Sequence, residues 1–362
     1  MHHQRQDRAI LFSSNEVRLS PREWLALLLV IMVLAALARP VWNGVEVFEP
    51  SAEYRIPYDS SEDYWLFERH CRAAADSNKT FVVGDSFIWG QYVSREETLS
   101  HYLNQGAGSE RFLNAGLDGA HPLALEGLLG HYCTVPQDTE VILHLNLLWL
   151  SSSQADLQVR RGGRLNHPAL LPQIRPAIPG YEASVSERLG ILAARHLPAL
   201  EWSRHVQSKY FGNADLQRWT LDHPYLNPLR QLTPRLPPLE DRIRGRAQPW
   251  FAEGRTQQRL PWVELETSLQ WRGFQRLVAT LQEGGNRIFV LVGPLNEHML
   301  ESTSRAVYRG IIGEVESWLE EEDLAHYLPP VLPSELYADM SHPLAGGYAL
   351  LAEDLWERIS GW

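Results

Sequence analysis

The sequence predicts an α/β fold: a parallel sheet covered by helices, interrupted by a large insertion and preceded by one N-terminal transmembrane helix. Three observations lead there. Short apolar runs that end in glycine or polar turns alternate with stretches of helical period, the pattern of strands joined by crossover helices. Trp24 to Ala38 is an uncharged apolar run near the N-terminus. Between Ser151 and Leu260 prolines cluster, and 16 Lys and Arg stand against 9 Asp and Glu in a chain whose net charge is −11. With 362 residues, 44% hydrophobic and 21% charged, the chain can bury a sizeable core. Its acidity argues against a nucleic-acid partner.

The N-terminal run sets the expected location. Trp24 to Trp42 would span ~28 Å as a helix, with a tryptophan at each interface and Arg39 reaching outward. Arg5, Arg8, Arg18 and Arg22 precede it, so the positive-inside rule leaves residues 1–23 in the cytoplasm as a leader and everything after the span outside. The expectation is an uncleaved single-pass anchor over residues 24–42. Ala36-Leu37-Ala38 also fits a signal-peptidase site, and cleavage there is the alternative. The two cysteines, Cys71 and Cys133, lack metal-ligand spacing; pairing in an oxidising compartment and two separate buried thiols are both open.

Along the chain, Asn43 to Ser61 reads as a linker, and Ser61 to Asp76 as a helix with Tyr64, Phe67 and Cys71 on one face. Phe81 to Val83 is a buried strand that stops at Gly84-Asp85-Ser86. Ser94 to Leu103 is a helix with Ser94 and Glu97 at capping-box spacing. Arg111 to Ala120 holds a second strand and its glycine turn, Pro122 to Tyr132 a crossover helix, and Glu140 to Leu148 a third strand. Residues 151–264 form the insertion, with its densest basic patches at residues 160–164 and 242–246; a cap over the site, contact with anionic headgroups and an irregular solvated cap with ordinary surface arginines are all open. The core resumes with a helix over Leu265 to Gln282, which Gly284-Gly285 stops, and a strand over Arg287 to Val292. A helix over Ser302 to Leu319, a last strand over Pro329 to Leu332 and a final helix over Pro343 to Ile359 follow.

Two short stretches carry the chemistry. At Gly84-Asp85-Ser86 the strand would turn sharply into a helix, with Asp85 as its cap and Ser86 presented at the mouth of the sheet. A serine nucleophile needs a base, and the base a group to orient it. Asp339 and His342, three residues apart near the C-terminus, supply both types.

Gly84-Asp85-Ser86-Phe87 with Gly90, and Asp339-x-x-His342, resemble the first and last blocks of the SGNH/GDSL hydrolase family. The resemblance covers residues 77–150 and 265–362 and implies a three-layer, flavodoxin-like parallel sheet. It implies Ser86 as nucleophile, His342 as base and then acid, and Asp339 as orienting carboxylate. It also implies an oxyanion hole from the Ser86 N–H, the Gly119 N–H (with Gly116 as the alternative) and the Asn146 side chain. The third block departs from the family's Gly-x-Asn-Asp, reading His144-Leu145-Asn146-Leu147, which leaves a simple strand-end role open for Asn146. Asp85, Asn296, Glu297 and His298 are further candidates for the cleft, being at strand ends.

The function so implied is acyl-ester hydrolysis, or acyl transfer to a sugar hydroxyl of an envelope or exported polysaccharide. It needs neither cofactor nor metal, and no nucleotide motif or zinc spacing occurs. The implied setting is a bacterial-type inner membrane with the catalytic domain in the periplasm and a membrane-bound acyl donor as candidate partner. The competing reading is a catalytically inactive scaffold that binds polysaccharide or an assembly partner.

Overall fold

The computed structural model describes residues 19–51, 53–75, 79–133, 135, 137–160, 165–236 and 247–362. The leader through Arg18 and the basic patches at 161–164 and 242–246 lie outside the described residues.

Helix α1 spans Pro21–Val45. Ser20 and Glu23 form a reciprocal capping box at its start, with Pro21 at the first helical position, where a missing N–H costs nothing. It is long and apolar enough to cross a membrane, and no residue of it is buried. The helix runs three residues beyond Trp42.

The segment that follows is not the loose linker its composition suggested. Val47 forms a parallel bridge with Arg235, and Glu46, Arg55, Ile56 and Ser60 are buried. Glu46 and Arg55 bind the domain through specific polar contacts, while Tyr54 and Ile56 pack into the apolar core, and sequence composition reports neither.

Helix α2, Tyr64–Ala75, leads into strand β1, Thr80–Gly84. A four-residue helix, α3 (Ser86–Trp89), follows at once. The capping box of Ser94 and Glu97 exists, but it closes a 3-10 turn at Arg95–Glu97. Thr98 then caps α4, Leu99–Ala107. Strand β2 (Phe112–Gly116), α5 (Pro122–His131) and strand β3 (Glu140–Leu145) complete the first half. Strand β3 ends three residues earlier than expected, because Asn146 caps a 3-10 turn at Leu147–Leu150.

The insertion contributes α6 (Val185–His196), α7 (Pro198–Tyr210) and α8 (Leu216–Asp222), and no strand among its described residues. The core then returns with α9 (Leu269–Glu283), β4 (Arg287–Val292), α10 (Ser302–Glu321), β5 (Ala325–Tyr327) and α11 (Ala345–Ile359).

The last strand lies before, not at, Pro329 to Leu332. Pro329 and Pro330 have no N–H to donate to a ladder, whereas Ala325, His326 and Tyr327 pair with Phe289, Val290 and Leu291 of β4.

The five strands are parallel in the order β2-β1-β3-β4-β5. Side chains alternate cleanly between the two faces. Phe81, Val83, Val141, Leu143, Val290 and Val292 join α2, α5, α9 and α10 in one core. Val82, Ile142, Phe289 and Leu291 join α4 and α11 in the other. Chain order reverses between β1 and β3, the point where open parallel sheets leave a crevice beyond their carboxyl ends.

A disulfide joins Cys71 on α2 to Cys133 just after α5, closing the question the sequence left open.

Candidate active site

The carboxyl ends of β1, β2 and β3 are level, since Gly84 pairs with Gly116 and Val83 with Leu143. Asp85 leaves β1 in an extended conformation and accepts the Phe87 N–H at 3.0 Å, which starts α3 with Ser86 as its first residue. This short helix sits directly on the sheet edge. A Cβ on Gly116 would lie 2.3 Å from the Trp89 nitrogen, so only glycine at the end of β2 admits it.

The loop at residues 338–342 brings the second half. Ala338 N–H bonds the His342 carbonyl at 2.9 Å, and Asp339 Oδ1 accepts the Ser341 and His342 N–H groups, both at 2.9 Å. Asn296, following β4, anchors this loop by donating its amide to the Asp339 carbonyl at 3.0 Å and its N–H to the Met340 carbonyl at 2.8 Å.

His342 Nδ1 lies 2.8 Å and 2.9 Å from the two Asp339 oxygens, and its Nε2 lies 2.8 Å from Ser86 Oγ. A carboxylate only accepts, so Nδ1 carries the proton and the neutral ring's Nε2 accepts from the serine hydroxyl. The three side chains therefore form a continuous relay. Ser86 and His342 are buried almost completely.

Electrostatics match this arrangement. Burial alone would lower His342, but the carboxylates of Asp339, Asp85 and Asp118 outweigh it and hold the imidazole above its usual 6.5. Burial would raise Asp339; His342 and the two backbone N–H groups bring it down to about 2. Burial would likewise raise Asp85, but His144, His342 and the Phe87 N–H bring it down to about 2.

The expected oxyanion donors fare differently. The Gly116 N–H is taken by Asn114 Oδ1 at 3.0 Å. The N–H groups of Ser86 and Gly119 have no acceptor among the described residues. Gly119 has φ +72°, and a Cβ there would strike Asn166, so this turn favours glycine.

Asn146 combines two positions. Its Oδ1 accepts the Leu148 N–H at 3.0 Å, the strand-end cap, while its Nδ2 donates to Asp85 Oδ2 at 2.7 Å. An amide nitrogen carries a second hydrogen, which neither bond consumes.

Two cleft candidates are turned elsewhere. Glu297 pairs with Arg309 on α10 at 2.9 Å, and His298 Nε2 bonds the Leu332 carbonyl at 3.1 Å. A strand-end position does not tell which way a side chain leaves the turn.

Several residues at the site were not legible beforehand. Trp149 Nε1 donates to Asp85 Oδ2 at 2.9 Å. His144 stacks on Phe87 with centroids 4.2 Å apart, and its Nε2 donates to the Gly293 carbonyl at 3.1 Å. From the insertion, Arg255 brings Nη1 to 3.9 Å from Asp339 Oδ2. Tyr92 presents its ring to His342 at 5.6 Å. Only the polar His144 inside an otherwise apolar strand was a visible signal. Arg255 is one arginine among many, and its role depends on how the insertion folds back.

Arg55, buried before α2, donates to the carbonyls of Trp89 at 2.9 Å, Gly90 at 2.7 Å and Val93 at 2.9 Å. It satisfies the carboxyl end of α3, and the Trp89 indole answers with a bond to the Ile56 carbonyl. A polar cleft of about 670 Å³, lined in part by Asp118, Asn166, Glu201 and Arg204, opens next to the Gly119 turn; Ser86, Asp339, His342 and Asn146 are not among its lining residues.

A scan against protein-family models finds no matching family, and a search of curated proteins finds no similar one.

Proposed function

We propose that this protein is a serine-dependent acyl-ester hydrolase or O-acyltransferase of SGNH type, tethered by α1 with its catalytic domain in the periplasm of a bacterial-type cell. The relay from Ser86 through His342 to Asp339 carries this reading. Residues 256 positions apart meet at 2.8 Å, with the proton donor and acceptor in the order that nucleophilic catalysis requires.

In the reaction, Ser86 Oγ attacks the ester carbonyl carbon while its proton passes to His342 Nε2. The carbonyl oxygen becomes an oxyanion facing the N–H groups of Ser86 and Gly119 and the spare hydrogen of Asn146, each such donor lowering the barrier by roughly 3 kcal/mol. Collapse breaks the ester bond, and His342 returns the proton to the departing alcohol. The acyl-enzyme then yields to water or to a sugar hydroxyl, whose proton His342 takes in turn. Asp339 orients the ring and stabilises its protonated form.

The polar cleft beside Gly119 suits a hydroxyl-rich acceptor, and the Cys71–Cys133 disulfide suits an oxidising compartment. The test is fluorophosphonate labelling together with turnover of p-nitrophenyl acetate, with and without oligosaccharide acceptors. Ser86→Ala should lose both the label and turnover while melting like the parent. Wild-type turnover in that variant rejects the assignment.

A further inference from the structure

The exit of α1 is stitched to the insertion at several points. Trp42 packs edge-on against Trp202 and Tyr210 of α7, with centroids 5.8 Å and 6.0 Å away. The same apolar cluster contains Phe211, and Trp219 from the middle of α8. Beyond α8, the Val47 N–H bonds the Pro234 carbonyl at 2.6 Å, and the Tyr210 hydroxyl lies between Glu46 Oε1 and the Thr233 carbonyl. Residues 216–230 are therefore held at both ends beside the residues with which α1 leaves its apolar stretch.

That short segment points its apolar side chains outward. Trp219 turns into the cluster, while Leu216, Leu221, Tyr225, Leu226 and Leu229 are exposed. Leu221 is 70%, Leu229 73% and Tyr225 98% accessible, an extreme for side chains of this kind placed so close together. Arg230 closes the segment. Leucines and a tyrosine, with Arg218 neutralising the one carboxylate, Asp222, in an exposed ion pair and Arg230 at the end, beside a tryptophan-marked helix end, suit a surface that sits at the headgroup level.

We infer that residues 216–230 dip into the outer interface of the same membrane that α1 crosses, giving the domain a second lipid contact. The inference rests on α1 being an uncleaved membrane span. Its consequence is orientation. A single helix leaves a domain free to turn about its axis, whereas a helix and a lateral apolar foot hold one face to the bilayer. Helix α7 connects that foot to the polar cleft through Glu201 and Arg204, so the cleft has a defined height above the lipid.

The test uses the full chain in vesicles of phosphatidylcholine and phosphatidylglycerol, with Leu28→Cys, Leu221→Cys, Leu226→Cys, Leu229→Cys or Leu350→Cys introduced one at a time. The native cysteines are bonded to each other, so each introduced thiol takes an environment-sensitive fluorophore alone. Leu350 lies on α11, on the other face of the sheet from α2, against which α7 packs. Lipids brominated in their acyl chains should quench the labels at 28, 221, 226 and 229 and leave 350 bright. Labels at 221, 226 and 229 that stay as bright as 350, while 28 is quenched, overturn the lipid contact and leave the anchor standing. The same brightness with cross-linking between two chains at these positions also overturns it, in favour of a second copy. An unquenched label at 28 removes the anchor and this inference with it.

Discussion

Asn146 Nδ2 donates to Asp85 Oδ2 at 2.7 Å, so the end of β3 is bonded to the residue that immediately precedes Ser86. Strand-end cap and oxyanion donor are thus not exclusive roles. The bonds that hold the amide in place orient the hydrogen left over.

Asn146→Ala should therefore cost on both counts. A lost oxyanion donor lowers kcat by roughly 10²–10³ with little change in KM, and the lost local bonds lower stability by about 1 kcal/mol. Kinetics and a thermal melt on the same variant check this. A lower melting temperature with kcat intact would remove Asn146 from the transition state and leave the two backbone donors.

In the proposed mechanism the base limits the pH range. His342 must be neutral to accept the Ser86 proton, and its pKa is held above 6.5. The acid limb of kcat/KM should then lie above pH 6.5. Asp339→Asn removes the largest raising influence and leaves burial opposed only by Asp85 and Asp118, so the limb should shift to lower pH as kcat falls. An unmoved limb would mean that another group sets it.

Stability should depend on pH through the same residues. Asp85 and Asp339 sit at about 2, below the 3.8 of an ordinary aspartate, so their contribution is complete above pH 4 or so and is lost as pH falls toward 2. His342 acts in the opposite sense. Its raised pKa stabilises the fold below pH 6.5, and that part disappears as pH rises through the folded value. Melting temperatures of the parent and Asp339→Asn across pH 2 to 6, in steps of about half a unit, should converge at the acid end.

Arg55→Ala should destabilise the domain by about 3 kcal/mol or more, because three buried carbonyls lose their donor together. Since those carbonyls belong to the end of α3 and the turn after it, kcat should fall with stability. Denaturant unfolding and turnover measure the two effects, and a melt like the parent's would show that α3 holds its place without the strap.

Removing the disulfide with Cys71→Ala and Cys133→Ala should cost about 4 kcal/mol, from the 62-residue separation that it closes. For a chain of this size that is on the order of 10 °C in melting temperature. Equal melting of parent and double variant would mean that the two sulfurs are not joined in the protein.

The short-range pattern of the candidate site was readable in the amino-acid order. Gly84-Asp85-Ser86 and Asp339-x-x-His342 announce themselves because a sharp strand-to-helix turn and a three-residue Asp–His spacing are short-range requirements, met within a few residues. The strands around them were readable for the same reason, since a buried strand is a short apolar run. The last strand escaped because apolar residues beside Pro329 and Pro330 look extended, while only pairing with β4 distinguishes a ladder from a loop. Folding decided the matters that depend on distant partners. It brought His342 to Ser86, it took the Gly116 N–H for Asn114 and left that of Gly119, and it joined Cys71 to Cys133. It also turned a polar tether into a strap, with Arg55 reaching the carbonyls of α3. A side chain's partner across tens or hundreds of residues is set by the packed sheet and its helices, and no local pattern encodes it.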